Sequence, residues 1–199
     1  MAAGLEPAED ASDTPPAEPQ IAAWIAATLE GDDAAFARLV HHFKDRVLRL
    51  VARFARNTHD LDEITQDVFV DAHRGLSRFR GDAPFEHWLC RIATRRCQDY
   101  LRRHYRRRWW SSLDELRDRG FDPAGEAGTA DGRVELLRLA LQRLHPDHQT
   151  VLTLLELQEY SIRETARLTG WSEANVKVRA HRARHALRAA MARLEKHGA

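Results

Sequence analysis

The sequence is poor in sulfur. Its 199 residues include two cysteines and two methionines, and Cys90 and Cys97 fall seven positions apart in one predicted helix. That spacing separates two residues by about 10 Å along a helix axis, too far for a comfortable disulfide. We therefore expect two reduced cysteines, as is usual in the cytosol. His87-x-x-Cys90 leaves a metal or redox role open but is weak evidence alone, and no metal or cofactor is predicted.

Long apolar runs and catalytic motifs are also missing. No segment approaches the ~20 apolar residues that a membrane-spanning helix requires, and the N-terminus lacks the basic and then apolar segments of a signal peptide. We therefore expect a cytoplasmic protein that does not insert into a membrane. No Gly-rich phosphate loop, cluster of metal-binding carboxylates or nucleophile–base motif occurs in the sequence, which argues against a nucleic-acid enzyme.

Positive and negative charges nearly balance over the whole sequence, but each sign is concentrated in particular segments. The formal net charge is +1, yet residues 1–20 contain five acidic residues and no Lys or Arg. Residues 91–108 contain eight arginines against Asp99 alone. A local basic surface of this kind is what binding to a phosphate backbone needs.

Strand-like alternation does not persist anywhere, whereas apolar residues recur at helical spacing through most of the chain. We predict an all-α fold: two small helical domains joined by a flexible linker, the second a helix-turn-helix. The predicted divisions are a disordered acidic tail at 1–19, a first domain at 20–108, a linker at 109–131 and a second domain at 132–199. Trp109-Trp110 opens the linker, where it could serve as an anchor or be held by a partner.

Residues 161–184 have the sequence pattern of a helix-turn-helix. Ser161 and Glu164 form a capping box, Ser172 can cap a second helix, and Gly170 supplies a turn that tolerates positive φ. The second helix has a narrow apolar stripe, which consists of Val176, Ala180, Ala183, Leu187 and Met191. We predict base contacts on its opposite side by Lys177, Val178, His181 and Arg182, with phosphate contacts by Arg179, Arg184 and Arg188. The alternative is an ordinary solvated basic helix.

Two further segments have unusual composition. In Asp60–Phe69 and just beyond, Glu63, Asp67 and Asp71 repeat at four-residue spacing, which costs a helix about 0.2–0.5 kcal/mol per pair. A docking face for a basic protein would explain this spacing, and a solvated acidic face is the alternative. From Phe79 to Trp88, aromatic side chains alternate with polar ones ahead of the arginine-rich helix. Single-stranded nucleic acid is bound by such combinations, although Phe85 and Trp88 could equally be core.

In order along the chain, these segments resemble extracytoplasmic-function (ECF) sigma factors of the sigma-70 family. The residues that carry the resemblance are Gly31–Phe36, Asp60–Phe69, Phe79–Asp82, Trp88–Ala93 with Asp99 and Arg102, and Val176–Arg184. Arg95 stands where the family often has Asn, and position 181 varies among such factors. The resemblance covers roughly residues 21–195.

The resemblance implies a role for each segment. RNA polymerase core would be bound through Asp62, Glu63, Gln66, Asp67 and Phe69. The minus-ten element would be melted and held by Phe79, Arg80, Asp82, Phe85, Trp88, Arg91, Arg95 and Arg102. The minus-thirty-five element would be read by the helix that begins at Ser172, through Lys177, Val178, Arg179, His181, Arg182 and Arg184.

The resulting hypothesis is a non-enzymatic initiation factor that confers promoter specificity on RNA polymerase. The resemblance also implies control by an anti-sigma factor, and we expect a monomer when no partner is bound. The alternative is a stand-alone helix-turn-helix regulator with an N-terminal sensor or dimerisation domain. Neither the acidic segment nor the aromatic and arginine-rich segment is needed by a sensor.

Overall fold

The computed structural model describes residues 18–114 and 132–197, and in these ranges the regular structure is helical. The first range, here called the N-terminal unit, contains α1 (Glu18–Leu29), α2 (Asp33–Val51), α3 (Thr58–Gly75), a 3₁₀ turn (Leu76–Arg78) and α4 (Phe85–Asp114). The second range, the C-terminal unit, contains α5 (Gly132–Gln142), α6 (Pro146–Leu152), a π-helical turn (Thr153–Leu157), α7 (Ile162–Thr169) and α8 (Glu173–His197). The all-α prediction is confirmed.

Helix boundaries follow local capping chemistry. Gly31, with φ of 99°, ends α1, and the Asp32 carboxylate accepts hydrogen bonds from two backbone N–H groups of α2. Asn57 caps α3, and its side chain accepts a hydrogen bond from the N–H of Asp60. The Asp60 carboxylate accepts a hydrogen bond from the Tyr100 hydroxyl, at 2.7 Å.

The helix α4 is longer than predicted. It continues to Asp114, through the predicted linker start and the backbone of Trp109-Trp110, rather than ending with the first domain at residue 108. The tryptophan side chains lie outside the described residues, as do most of the predicted acidic tail, at 1–17, and the linker from 115 to 131. The continuation has a physical reason: residues 101–114 contain no Gly or Pro, so nothing in the sequence stops the helix.

A core forms in each unit. In the N-terminal unit, α2, α3, the 3₁₀ turn and α4 all contribute to one apolar core, and its fully buried members include Leu39, Val47, Val68, Leu76 and Leu89. In the C-terminal unit, α8 packs on α5, α6 and α7 through a smaller set: Leu144, Val151, Leu152, Ala166, Val176, Ala180 and Ala183. Pro146 occupies the first position of α6, where its missing N–H costs nothing.

The two units pack against each other. The helices α6 and α7 contact α4, and Leu154 and Leu168 of the C-terminal unit join the apolar core of the N-terminal unit. Leu154 is fully buried there. The periodicity of the sequence indicates which apolar residues are internal, but it does not indicate whether they enter the core of the N-terminal or of the C-terminal unit.

Candidate nucleic-acid and polymerase interfaces

The helix-turn-helix forms as its capping residues predict. The Ser161 hydroxyl accepts a hydrogen bond from the N–H of Glu164, and the Glu164 carboxylate accepts one from the N–H of Ser161, at 3.2 and 2.8 Å. Gly170 ends α7 with φ of 76°, a left-handed conformation that favours glycine. The Ser172 hydroxyl accepts a hydrogen bond from the N–H of Asn175, at 3.2 Å. These bonds set where α7 and α8 begin.

One face of α8 is buried and the other is exposed. The predicted apolar stripe is fully buried at Val176, Ala180 and Ala183 and half-buried at Leu187 and Met191. The residues predicted to contact bases lie on the other side and are exposed: Lys177, Val178, His181 and Arg182. Val178 is 49% exposed, unusual for a large apolar side chain. The exposed face is therefore suited to a major groove, with an apolar group for a thymine methyl.

Two arginines predicted to contact DNA have internal partners. The Arg179 guanidinium binds the Asp147 carboxylate and stacks on the Trp171 ring, with 4.4 Å between the guanidinium carbon and the ring centre. Arg184 pairs with Glu156, at 2.6 Å. These ion pairs position α8 against α6 and the π-helical turn. Because exposed ion pairs contribute little, the Arg184 pair leaves that guanidinium available to a phosphate.

The loop after the 3₁₀ turn presents polar side chains, while its aromatic neighbours pack inward. Arg80 and Asp82 are exposed, as predicted for a DNA-binding loop. Phe85 is 5% exposed and packs on Phe43, with ring centres 5.3 Å apart. Phe85 is therefore a core residue in this conformation, which is the alternative that the sequence left open, and its contact with a base stays a prediction. Phe79 is half-buried against the same cluster.

A cationic groove lies between the end of α3 and the first half of α4. It encloses about 600 Å³ and has the Trp88 ring in its wall, with Arg74, Arg78 and Arg95 around it. None of these three guanidinium groups forms an ion pair with another described residue. Gly75 lies against Trp88, and a Cβ at this glycine would be 3.5 Å from the ring. Asp71, Arg96 and Asp99 complete the lining. The groove thus combines a net positive charge with an aromatic surface, the combination that binds single-stranded nucleic acid.

Arg91 and Arg102 of α4 lie outside this groove and are exposed. Arg102 pairs with Asp99, one turn away, at 3.1 Å. Both residues were predicted to contact the minus-ten region, and they extend the basic surface of α4 along its length.

Arg96 neutralises part of the acidic segment. Its guanidinium donates two hydrogen bonds to Asp71 and lies 3.3 Å from Asp67. The hydrogen bonds from Arg96 lower the pKa of Asp71 below its ordinary value. The four-residue spacing of like charges is therefore compensated inside the N-terminal unit, so the spacing alone does not require an external basic partner. Asp67, half-buried and close to Arg96, is therefore less accessible to a protein partner than Asp62 and Glu63 are.

The remaining acidic surface is open. Asp62, Glu63 and Gln66 are exposed on α3, and Phe69 is half-buried beside them. An apolar groove of about 370 Å³ adjoins them, lined by Phe36, Val40, Gln66, Phe69, Val70, His73 and Arg74. Exposed carboxylates next to an apolar groove suit a protein partner rather than DNA.

The described residues contain no candidate metal site and no candidate membrane-spanning helix. Between Glu18 and Asp114 and between Gly132 and His197, no three His, Cys, Asp or Glu side chains are arranged to hold a metal ion. Within the same ranges no helix is both long and apolar enough to cross a bilayer. Cys90 and Cys97 are free and buried, and burial raises the pKa of both thiols.

Comparison with known families gives two matches in the order of the two units. The sigma-70 region 2 family matches residues 39–108, and the sigma-70 region 4 family matches residues 135–194. The chain is 34% identical over 160 residues to the ECF RNA polymerase sigma factor SigM of Mycobacterium tuberculosis, covering 80% of this chain and 79% of SigM. The chain belongs to the ECF sigma factors.

Other relatives agree with this assignment. The ECF RNA polymerase sigma-E factor of Escherichia coli is 30% identical over 167 residues, covering 79% of this sigma factor and 87% of sigma-E. Among solved structures, CnrH in complex with the cytosolic domain of CnrY matches with a TM-score of 0.57 and 27% identity, over 86% of this chain and 94% of CnrH. The fold is also shared with RpoE of Bartonella quintana, solved with the anti-sigma factor NepR, at a TM-score of 0.53 and 20% identity over 78% and 96% of the chains.

Three arginines at the groove of this sigma factor were missed by the sequence analysis. Arg74 and Arg78 come from the end of α3 and the 3₁₀ turn, between the two segments to which roles were assigned. Arg96 was counted only as part of a basic run. The shared signal that could have found the first two is their four-residue spacing, which places both on one side of a helix.

Proposed function

We propose that this sigma factor holds the melted minus-ten strand in the groove formed by Arg74, Arg78, Arg95 and Trp88, while Lys177, Val178, His181 and Arg182 read the minus-thirty-five element. The groove is the observation that carries the proposal. A base can stack on the exposed part of Trp88, and the three arginines can neutralise the flanking phosphates. Arg80 and Asp82 are exposed on the loop that follows the 3₁₀ turn. No covalent chemistry is needed for this role.

The salt dependence of promoter binding tests the groove. For each lost phosphate contact, the slope of log K against log salt falls by about 0.7 on single-stranded DNA and about 0.9 on duplex. We expect Arg78→Gln to reduce the slope of polymerase holoenzyme binding by about 0.7 on a promoter with a pre-melted minus-ten element. Arg78→Lys should restore most of it.

The matched control is Arg53→Gln, which removes an exposed arginine that does not line the groove. An equal loss of slope in this control, or an unchanged slope in Arg78→Gln, would contradict the assignment. Run-off transcription by the wild-type chain on core polymerase provides the test of the function as a whole. Tight duplex binding without polymerase, and no transcript with it, would favour the stand-alone regulator instead.

The proposed polymerase contact is the exposed acidic surface and the apolar groove beside it. We expect it to receive a basic and apolar element of the core enzyme, because Asp62 and Glu63 provide negative charge at the edge of an apolar site. Glu63→Arg is the preferred test. Asp67→Arg would also break the ion pair with Arg96, so its effect on polymerase binding could not be separated from an effect on folding.

Two further statements belong to this proposal. The chain acts in the cytoplasm, where the polymerase is. It is controlled by an anti-sigma factor, which the solved complex of the relative CnrH with the cytosolic domain of CnrY supports. Co-purification of the tagged chain with a small protein that inhibits run-off transcription, and whose removal restores it, is the expected result.

A further inference from the structure

The proposed function makes no use of the acidic tail that precedes α1. Residues 1–17, to which the name acidic tail refers from here on, contain Glu6, Glu9, Asp10 and Asp13 and no Lys, Arg or His. They contain no aromatic residue either. A surface that binds this tail must therefore recognise negative charge rather than an apolar shape.

The acidic tail joins the fold beside an element of the cationic groove. The helix α1 follows the tail directly and packs on α2 and on the 3₁₀ turn. Its residues Ile21, Trp24 and Ile25 are partly buried against the core of the N-terminal unit. Arg78, the last residue of the 3₁₀ turn, is exposed and lines the groove. One short helix thus connects the acidic tail to an element that carries a groove arginine.

The length of the acidic tail is sufficient to reach the groove. The helix α1 has 12 residues and is therefore about 18 Å long. This length limits the distance along the axis between Glu18 and the residues of α1 that contact the 3₁₀ turn. Glu6, Glu9 and Asp10 precede Glu18 by 8 to 12 residues, which corresponds to about 27–40 Å of extended chain. Three carboxylates can therefore arrive at the groove without any change in the N-terminal unit.

The groove has the charge that the acidic tail lacks. Arg74, Arg78 and Arg95 line it, are exposed, and form no ion pair with another described residue. A guanidinium group can bind a carboxylate through two parallel hydrogen bonds. The basic face of α8 also has exposed arginines, but it belongs to the C-terminal unit, whereas α1 packs on the N-terminal unit. Charge and position together therefore favour the groove.

We propose that the acidic tail binds the cationic groove and competes there with the minus-ten strand. The proposal rests on the proposed function, because it places both polyanions on Arg74, Arg78 and Arg95. Exposed ion pairs are individually weak, but a tethered ligand acts at an effective concentration in the millimolar range. The tail therefore lowers the affinity of the groove for nucleic acid that binds weakly, whereas a promoter strand held by polymerase displaces it.

Photocrosslinking tests the location of the acidic tail without DNA. The full-length chain carries Ser12→p-benzoylphenylalanine, and crosslinked peptides are identified by mass spectrometry. We expect crosslinks to residues 74–78 and 88–95 at about 0.1 M salt, with a yield about tenfold lower at about 1 M, because the Debye length falls from about 10 Å to about 3 Å. Crosslinks to α8 instead, no crosslinks, or a yield that salt does not change would overturn the proposal.

Charge variants of the acidic tail test the competition. The neutral variant carries Glu6→Gln, Glu9→Gln, Asp10→Asn and Asp13→Asn. We expect it to lose the groove crosslinks and to bind a single-stranded minus-ten oligonucleotide about tenfold more tightly than the wild type at low salt, since about three exposed ion pairs no longer have to be displaced. The two affinities should converge at high salt. Equal affinities at low salt would contradict the competition.

The matched control keeps the charge and changes the side chains, with Glu6→Asp, Glu9→Asp, Asp10→Glu and Asp13→Glu. Its crosslinks and its affinity for the oligonucleotide should equal those of the wild type. A control that behaves like the neutral variant would mean that side-chain shape, rather than charge, directs the tail, and would overturn the proposal.

A double-mutant cycle tests whether the groove is the site of the competition. In the background Arg74→Gln with Arg78→Gln, neutralising the acidic tail should change the affinity for the oligonucleotide by less than about twofold, because two of the three groove cations are already absent. In the background Arg53→Gln, which changes an exposed arginine outside the groove, the gain of about tenfold should persist. A full gain in the first background would place the tail elsewhere.

The same measurements separate this proposal from the proposed function. Groove crosslinks that depend on the carboxylates, together with oligonucleotide binding that is insensitive to Arg78→Gln, would retain the docking of the tail and reject both the minus-ten role of the groove and the competition. Absent crosslinks, together with oligonucleotide binding that Arg78→Gln weakens, would retain the minus-ten role and reject the docking.

Discussion

Some arginines of this sigma factor form ion pairs within the protein, whereas others remain available to bind DNA. Arg96 is held by Asp71 and Asp67, and Arg179 by Asp147. Arg182, by contrast, has no ion-pair partner among the residues that the structure describes. Removing an engaged arginine changes stability first, whereas removing a free one changes DNA binding first.

At this scale we predict different outcomes for neighbouring arginines of α8. Arg182→Ala should weaken recognition of the minus-thirty-five element by about 1–3 kcal/mol, as expected for a base contact, and leave core polymerase affinity unchanged. Arg184→Ala should weaken binding equally on promoters with intact and scrambled upstream elements, because a phosphate contact does not read the base sequence. Holoenzyme binding to promoters with intact and scrambled upstream elements measures both. Equal losses on the scrambled promoter would argue for phosphate contact by Arg182.

The Asp71–Arg96 pair predicts a pH dependence of stability. Because the pKa of folded Asp71 is lowered from 3.8, its contribution is complete above that value and is lost as pH falls through the lowered pKa. We expect about 0.5 kcal/mol, since the pair is partly solvent-screened. Urea unfolding of wild type and Arg96→Met between pH 6 and about 3 should show the difference between them shrinking with acid. A constant difference would contradict this account.

At the scale of elements, the turn between the π-helical segment and α7 is the conformationally costly part of the fold. Left-handed backbone costs a non-glycine residue about 1–2 kcal/mol, and Glu159 adopts it with an exposed side chain. By contrast, the turn at Gly170 has the residue that its left-handed φ favours.

Replacing Glu159 by glycine should therefore stabilise the chain. We expect Glu159→Gly to raise the free energy of unfolding by roughly 0.5–1 kcal/mol, after allowance for the greater entropy that glycine gives the unfolded chain. Glu30→Gly, at an exposed turn residue without positive φ, is the matched control and should be neutral or destabilising. Chemical denaturation followed by circular dichroism compares the two. Equal effects of both substitutions would mean that the strain at Glu159 is not released by glycine.

At the scale of the whole molecule, the packing of the C-terminal unit on the N-terminal unit predicts that the isolated chain cannot engage both promoter elements at once. The isolated chain should bind a duplex with both elements, the minus-ten element pre-melted, no more tightly than a duplex with the minus-thirty-five element alone. With core polymerase added, each element should contribute separately to affinity. Fluorescence anisotropy on the two templates measures this. A large gain from the second element without polymerase would mean that the units are already apart.

The sequence by itself determined the local structure and the family. Helix periodicity, the Ser161–Glu164 capping box and Gly170 specify the helix-turn-helix, because each acts over a few neighbouring residues. The exposed character of Lys177, His181 and Arg182 followed from the same periodicity. One boundary was less accurate, because α4 runs past the predicted linker start.

Only the tertiary structure decided which partners distant residues find. Arg96 reaches Asp71 across 25 positions, Phe85 enters the core on Phe43, and Tyr160 bonds to Arg46 across 114 positions. Such contacts depend on how the helices cross, and the spacing of residues along the chain does not predict the crossing geometry. The cationic groove with Arg74 and Arg78, and the docking of one unit on the other, are decided at this level for the same reason.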